Sequence, residues 1–448
     1  AFNRSGAGLG MAISGVRVGI DRRSRELDLW LENVRVRRPD GKPVASLPEV
    51  ATSFSLRSLL RGRLAPTRLT VERPTIHLQR AASGRLSLQI GSPDEAAPEL
   101  GPELFSELEG RVEGDPPLAV LRRVSIRDAT VILDDESTGR RWQVNRVDAA
   151  MERDAQGVGG DLSLALALGA TMPELHVQYH YTAAAHTLDL QAAVEGVDPQ
   201  ALAPLFPALT PLGQIHSLVS GTLETRFDVG AGTSEGVRLD LAFGKGWVED
   251  AMLPGGSVAV AEGKLRAVYA PEKAELRLEK LGLDLGGGST LELKGTLEGL
   301  TPDIMAQRAP PPTDLAGTLA IALSRVPTDK LGQLWPAALS PGGRRWVLAN
   351  VEDGVLDDAS VELTLQINAA ARTAEVSAGR GTLRYHGLTI HYFRGLEAVR
   401  QVGGTANFAG KRLEFTPSGG TIRSLKVTGG SLQLTDLGAP TEWLTADL

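Results

Sequence analysis

The chain has 448 residues, no Cys, 51 Gly, 26 Pro and only 4 % aromatics, with 47 Lys+Arg against 54 Asp+Glu for a formal charge of −7. The absence of Cys excludes disulfides, thiolate metal sites and Cys nucleophiles, and the scattered charge, without a basic stripe, argues against nucleic acid as a partner. No segment approaches the ~18 continuous apolar residues of a membrane-spanning helix.

Apolar–polar alternation, the period of a one-sided β-strand, runs along the chain from its first residues. It predicts strands over 9–20, 26–37 and 49–56, with a turn at Pro39-Asp40-Gly41-Lys42. A leucine-rich helical turn is expected over 55–62, and strands over 68–72, 75–80 and 85–90. Residues 91–117 read as a Pro-rich acidic linker with a short helix at 103–108. Strands follow over 118–127, 130–134, 141–149, 161–168, 174–182 and 187–195, joined so closely that neighbours must run antiparallel. Asp198-Pro199 is a cap-plus-Pro helix start. Further strands are expected over 223–229, 237–243, 258–260, 264–269, 275–285, 291–297 and 315–324. Gly286-Gly287-Gly288 lacks the helix and Lys of a phosphate loop and reads as a hairpin turn. Two helices are expected at 328–336 and, from Ser340-Pro341, through Asn350, with Gly354 closing the second. The last strands fall at 361–367, 381–385, 388–393, 413–416, 422–427 and 431–435.

The fold class expected is mainly β: a long, twisted, antiparallel sheet forming an open hydrophobic groove, with a few short helices between strand blocks. The blocks are 1–90; a linker 91–117; 118–195; a helical crossing 196–212; 213–300; a Pro-rich linker 301–313 around Pro310-Pro311-Pro312; a strand 314–326; a helical pair 327–353; and 354–448. The opening Ala1-Phe2-Asn3-Arg4 has neither Met nor a signal-peptide pattern, so the chain reads as a piece of a longer protein with its anchoring segment upstream.

Two stretches resemble a known family. Ser55-Leu56-Arg57-Ser58-Leu59-Leu60-Arg61-Gly62 runs into Leu69-Thr70-Val71-Glu72-Arg73-Pro74-Thr75-Ile76-His77-Leu78-Gln79-Arg80 and Ser83-Gly84-Arg85. This is similar to the N-terminal signature of AsmA-like proteins, with Leu86-Ser87-Leu88 standing where that family has Asn-Trp. The second stretch, Val326-Pro327-Thr328-Asp329-Lys330-Leu331 through Leu334-Trp335-Pro336, Arg344-Arg345-Trp346-Val347 and Asp353-Gly354-Val355, resembles the central region of large AsmA-like proteins of the YhdP type. The resemblance implies a repeating β-groove, bridge-like lipid transfer protein. Such a protein is anchored to the inner membrane of a Gram-negative bacterium, extends into the periplasm, moves phospholipid and supports the outer membrane. It implies phospholipids as ligands, the inner membrane as partner through a segment outside this chain, and outer-membrane or periplasmic envelope proteins as further partners.

The residues support a groove independently. Aliphatic side chains offer acyl chains apolar area without fixed polar recognition. At about 0.8 kcal/mol per buried CH₂, a chain of ~16 carbons gains on the order of 10 kcal/mol. The candidate lining is Leu162, Leu164, Leu166, Leu168, Leu188, Leu190, Leu239, Leu241, Leu291, Leu293, Leu319, Ile321, Leu363 and Leu365, with Trp335 and Trp346 as a candidate gate. The plainer alternative is closed sandwich cores for the leucines and a clamp of helix on sheet for the tryptophans. Arg22, Arg23, Arg25, Arg57, Arg61 and Arg63 read as solvated faces, with lipid phosphate as the other reading.

Enzymatic readings fare poorly. His176 and His180 lie about 13 Å apart along one strand, too far for a shared metal, and His386 and His391 flank a turn. Asp134-Asp135 and Asp357-Asp358 sit at turns without the aromatics of a glycan cleft. No catalytic residue, metal or cofactor is expected. The expected function is non-enzymatic phospholipid transport between membranes. The alternative is a structural module, TamB-like, that assists outer-membrane protein insertion through open strand edges.

Overall fold

In the computed structural model the described residues are 10–21, 26–37, 43–55, 66–81, 86–90, 121–136, 139–166, 172–203, 212–231, 233–249, 255–305, 309–310, 312–336, 341–371, 373–392, 395–435 and 443–447. The turn at 39–42, the leucine-rich 56–62, the linker 91–117, Leu168 and the six arginines named with them lie outside these. The fold is mainly β and mostly antiparallel, with open sheet and few short helices, as expected. The chain divides into two units: residues 1–195 with 224–233, and residues 196–223 with 234–448.

The first unit holds β1 (Gly10–Ala12), β2 (Gly15–Asp21), β3 (Glu26–Arg37), β4 (Pro43–Ser55), β5 (Pro66–Glu72), β6 (Thr75–Arg80), β7 (Leu86–Ile90), β8 (Arg123–Asp135), β9 (Arg140–Arg153), β10 (Gly157–Ala165), β11 (Glu174–Thr182) and β12 (Thr187–Val197), the last ending two residues into the second unit. Short connections make β2, β3, β4 and β5 a meander, and β8 through β12 another. The two meanders join by parallel pairing, which local spacing does not announce. β8 pairs with β5 over its first half and with β6 over its second. β5 and β6 are one strand interrupted at Arg73-Pro74, where Pro74 has no N–H to give the ladder. Arg73 takes a left-handed φ of 52°, and Asp128 answers it on β8 at 50°.

These interruptions form a line. Asn33 on β3 and Arg146 on β9 are also left-handed, and the β8–β9 register shifts around Ala129. Each bulge bends its strand and increases the twist. The bend presses Ile76, Ala129 and Val147 into a buried cluster with Ile126, Val131 and Val144 around it.

The second unit contains α1 (Pro199–Leu202), β13 (Ile215–His216), β14 (Val219–Asp228, whose last five residues belong to the first unit), β15 (Thr233–Phe243), β16 (Gly246–Glu249), β17 (Ser257–Val260), β18 (Glu262–Ala270), β19 (Glu275–Asp284), β20 (Thr290–Glu298), α2 (Pro302–Met305) and β21 (Leu315–Pro327). Then come α3 (Thr328–Leu334), α4 (Pro341–Asn350), β22 (Val351–Glu352), β23 (Val355–Asn368), β24 (Thr373–Ile390), β25 (Val399–Ala409), β26 (Arg412–Ile422), β27 (Leu425–Val427), β28 (Ser431–Thr435) and β29 (Trp443–Asp447). Antiparallel pairing runs β15–β18–β19–β20–β21–β23–β24–β25–β26–β28–β29. β13, β16 and β17 make a separate three-stranded sheet.

Local chemistry explains the joints. Asp198 caps α1, its Oδ1 accepting from Gln200 N at 3.0 Å, with Pro199 at the first helical position. All three of Gly286, Gly287 and Gly288 have positive φ, so the β19–β20 hairpin needs residues without Cβ. A second line of left-handed residues, Arg325, Asp353, Gly354, Gly387 and Gln401, crosses from β21 to β25. Along it lie two of the unit's buried clusters: Val326 with Leu356 and Ala359, and Tyr385 with Leu388, Val402 and Ala406.

Three differences from expectation follow from these bulges and left-handed residues. Within the described residues, the strands expected over 118–127 and 130–134 fall in the single β8, and those over 381–385 and 388–393 in the single β24. A bulge breaks the alternation without breaking the ladder. The strand expected over 9–20 splits into β1 and β2 at Ile13-Ser14, opposite left-handed Asn33, whose side chain donates to Ser14 Oγ at 3.0 Å.

Candidate functional site

Strand register decides which side chains share a face. In the second unit one transverse row reads Leu241, Leu265, Leu281, Leu293, Ile321, Val361, Gly381, Phe408, Leu413, Leu434 across ten successive strands. The neighbouring row is Leu239, Ala267, Leu278, Gly295, Leu319, Leu363, Gly379. Neither contains a polar side chain. At ~4.8 Å per strand the longer row extends about 43 Å. Its members are half-buried rather than buried.

The first unit repeats the pattern. Val16, Leu31, Val50, Val71, Ile126, Ala149, Leu162, Val177 and Ala192 form one row over nine strands. The next row continues through Met151, Gly160, Tyr179 and Leu190. The Tyr179 ring lies over Gly160, where a Cβ would come within 2.8 Å of it. Burial, and secondarily the Asp161 charge, raise the Tyr179 phenol pKa. On edge strand β2, Val16, Val18 and Ile20 are 55 %, 64 % and 64 % exposed, so this face reaches the edge uncovered.

The opposite faces are aqueous. Asp240 pairs with Arg266 at 3.0 Å, and Glu292 takes Lys294 at 2.8 Å and Lys280 at 2.9 Å. Those two ammonium hydrogen bonds lower the Glu292 pKa. Glu362 accepts from Arg380 Nε at 2.7 Å, Asp358 meets Arg384, and in the first unit Asp189 takes Arg226 at 2.6 Å. A hollow of about 690 Å³ crosses β19 to β24 in the second unit. Most of its lining, including Lys294, Thr296, Thr318, Thr364 and Arg380, belongs to the polar register, with Leu278, Leu319 and Leu363 contributing from between.

Both strand ends of the second unit's apolar face carry a short helix. At one, Ile304 of α2 packs against Tyr269, Leu300 and Leu315. At the other, Leu331 and Leu334 of α3 pack on Val326 and Leu356. α4 is fastened to α3 by Arg344, which donates to the carbonyls of Gly332 and Trp335, each at 3.0 Å. These bonds satisfy carbonyls that the end of α3 leaves open. Trp335 is the C-cap of α3, and Trp346 on α4 is 44 % exposed. On α3 it is Leu331 and Leu334 that pack on the cluster.

Of the expected lining, Leu162 and Leu164 on β10 and Leu188 and Leu190 on β12 share the apolar face of the first unit. Leu239, Leu241, Leu291, Leu293, Leu319, Ile321, Leu363 and Leu365 share that of the second. Leu166 lies one residue beyond the end of β10, its N–H bonded to the Pro173 carbonyl at 2.9 Å. Sequence reasoning missed β25, whose apolar register consists of Val402, Gly404, Ala406 and Phe408. The carboxylate pairs have structural partners: Asp357 lies within hydrogen-bond distance of His386 Nδ1 at 2.8 Å, and Asp135 pairs with Arg80 and Asp134 with Arg141, each at 3.5 Å. His176 sits 2.9 Å from Ser163 Oγ. Among the described residues no group of three or more His, Asp or Glu is arranged to hold a metal, and no helix is long and apolar enough to cross a membrane.

Comparison of the chain with protein-family models, curated proteins and solved structures finds no match.

Proposed function

We propose that the apolar sheet face carries phospholipid acyl chains and that the protein is a non-enzymatic conduit for phospholipid in the periplasm of a Gram-negative bacterium. The observation that carries this reading is the row from Leu241 to Leu434, free of polar side chains, half-buried and backed by an ion-paired aqueous face. A monomer rarely leaves so large an apolar surface open without a ligand or partner for it. Leucine and valine offer acyl chains area without polar contacts that would fix a register. Neighbouring positions are then nearly equivalent, and sliding along the row is inexpensive. Head groups stay at the rims, in water. The motif resemblance to AsmA-like proteins points the same way and supplies the expected compartment.

The experiment is native mass spectrometry with lipid extraction on the chain purified from a Gram-negative host. Co-purified phospholipid that is lost in Leu293→Asp supports the conduit. A folded, lipid-free protein that takes up no fluorescent phospholipid refutes it.

One observation favours a second reading. β2 pairs only with β3 among the described residues and exposes Val16, Val18 and Ile20, which suits addition of a strand from another protein. This is the envelope-assembly alternative. It predicts capture of an extended peptide at β2 by a protein that holds no lipid.

A further inference from the structure

The small sheet of β13, β16 and β17 carries the protein's one ring stack among the described residues. The rings of His216 and Trp247 lie 4.6 Å apart and 12° from parallel. Glu249 fixes both: its Oε1 accepts from Trp247 Nε1 at 3.2 Å and sits 3.1 Å from His216 Nε2. Trp247 is nevertheless 46 % exposed, because His216 covers only one ring face. The Glu249 side chain is 53 % exposed and stays open to a further donor. Lys245, also exposed, stands two residues before Trp247.

This sheet sits at the strand ends of the apolar face. Two residues, Gly244 and Lys245, separate β15 from β16, and one, Ala261, separates β17 from β18. Gly244 N bonds to the Leu218 carbonyl at 3.0 Å, and Ser217 Oγ donates to the Gly244 carbonyl at 2.7 Å, tying the joint. Trp247 is four residues beyond Phe243 of the apolar register, across the Gly244-Lys245 joint. That is the rim, where the head group of a lipid lying on the face would be.

A rigid indole face beside a carboxylate is complementary to an alkylammonium, which gains from the ring quadrupole and from the anion together. A lysine close by complements a phosphate. We propose that Trp247 and Glu249, with Lys245, bind the phospho-alkylammonium head group of a zwitterionic phospholipid, the ammonium on Trp247 and Glu249 and the phosphate on Lys245. The inference rests on the conduit reading and adds head-group selection to it.

The test loads the full chain from vesicles holding equal amounts of phosphoethanolamine and phosphoglycerol lipids with identical acyl chains, and quantifies bound lipid by mass spectrometry. The expected result is an enrichment of the ammonium-bearing lipid of about two- to fivefold. The enrichment disappears in Trp247→Leu and in the isosteric Glu249→Gln. No enrichment in the wild type, or enrichment that survives both substitutions, overturns the inference and leaves the conduit standing. If the wild type binds no lipid at all, the conduit fails. Soluble O-phosphoethanolamine, titrated against the Trp247 indole N–H resonance, then decides the head-group site alone. A saturable shift supports it, and no shift overturns it.

Discussion

Tyr269 Oη donates a 2.9 Å hydrogen bond to the Leu300 carbonyl, joining β18 to the turn that leads into α2. The bond closes one strand end of the second unit's apolar face, with Leu315 and Ile304 packed against it. It also explains why a tyrosine stands in the register row Val237, Tyr269, Leu276, Leu297, Gly317, Leu365, otherwise built of aliphatics and glycine.

Burial, then the Glu272 charge, raise the Tyr269 phenol pKa, and burial does the same for Tyr385. A raised pKa means the folded state favours the protonated phenol. Its contribution is complete below the ordinary value of about 10 and is lost as pH rises above that. The protein is expected to lose stability on the alkaline side, with tyrosinate absorbance rising together with unfolding. Tyr269→Phe is expected to cost about 1 kcal/mol at neutral pH, the net value of one hydrogen bond. Urea denaturation at pH 7 and pH 11 checks both.

Gly381 has no room for a side chain. A Cβ there would meet the Ser360 carbonyl oxygen at 2.7 Å and press into the Phe408 ring. Gly381→Ala is expected to lower stability by about 1–3 kcal/mol, the usual cost of overpacking. Adding Phe408→Leu is expected to recover part of the loss. A double-mutant cycle in urea measures the coupling.

Arg344 is the fastening of α4. Arg344→Ala removes both bonds to the carbonyls at the end of α3. Amide exchange in 341–350 is expected to accelerate at least tenfold, since two bonds to a charged group are worth more than 1.4 kcal/mol. Exchange in β20 and β21 is expected to stay as it was. Hydrogen-exchange mass spectrometry reads both segments in one experiment.

How far the fold could be read in advance depended on what broke the alternation. β3, β6, β11 and β28 have the bounds that period two and the flanking turn residues predict. β8 and β24 read as pairs of strands because a bulge at Asp128-Ala129, or around Gly387, shifts the phase of the pattern while pairing continues. β25 was invisible because Gly403-Gly404 and Asn407 have poor strand propensity. Its place is set by packing between β24 and β26. The parallel pairing of β8 with β5 and β6 joins segments some 55 residues apart, beyond any local signal. The apolar face was legible as a list of leucines. That they align in rows was not, because register is a relation between strands. The Trp247–His216–Glu249 group was missed for the same reason: only Trp247 and Glu249 are near neighbours in the chain.

The most direct test of the acyl-chain assignment compares two adjacent residues. Leu319 belongs to the apolar row and Thr318 to the aqueous face, where it bonds to Thr296 at 2.8 Å. Phospholipid bound per chain should be measured by native mass spectrometry for the wild type, Leu319→Asp and Thr318→Asp, each checked for folding by circular dichroism. The account predicts that the wild type and Thr318→Asp hold phospholipid and that Leu319→Asp, though folded, has lost it. Equal lipid content in the two variants, or a folded wild type with none, would contradict it.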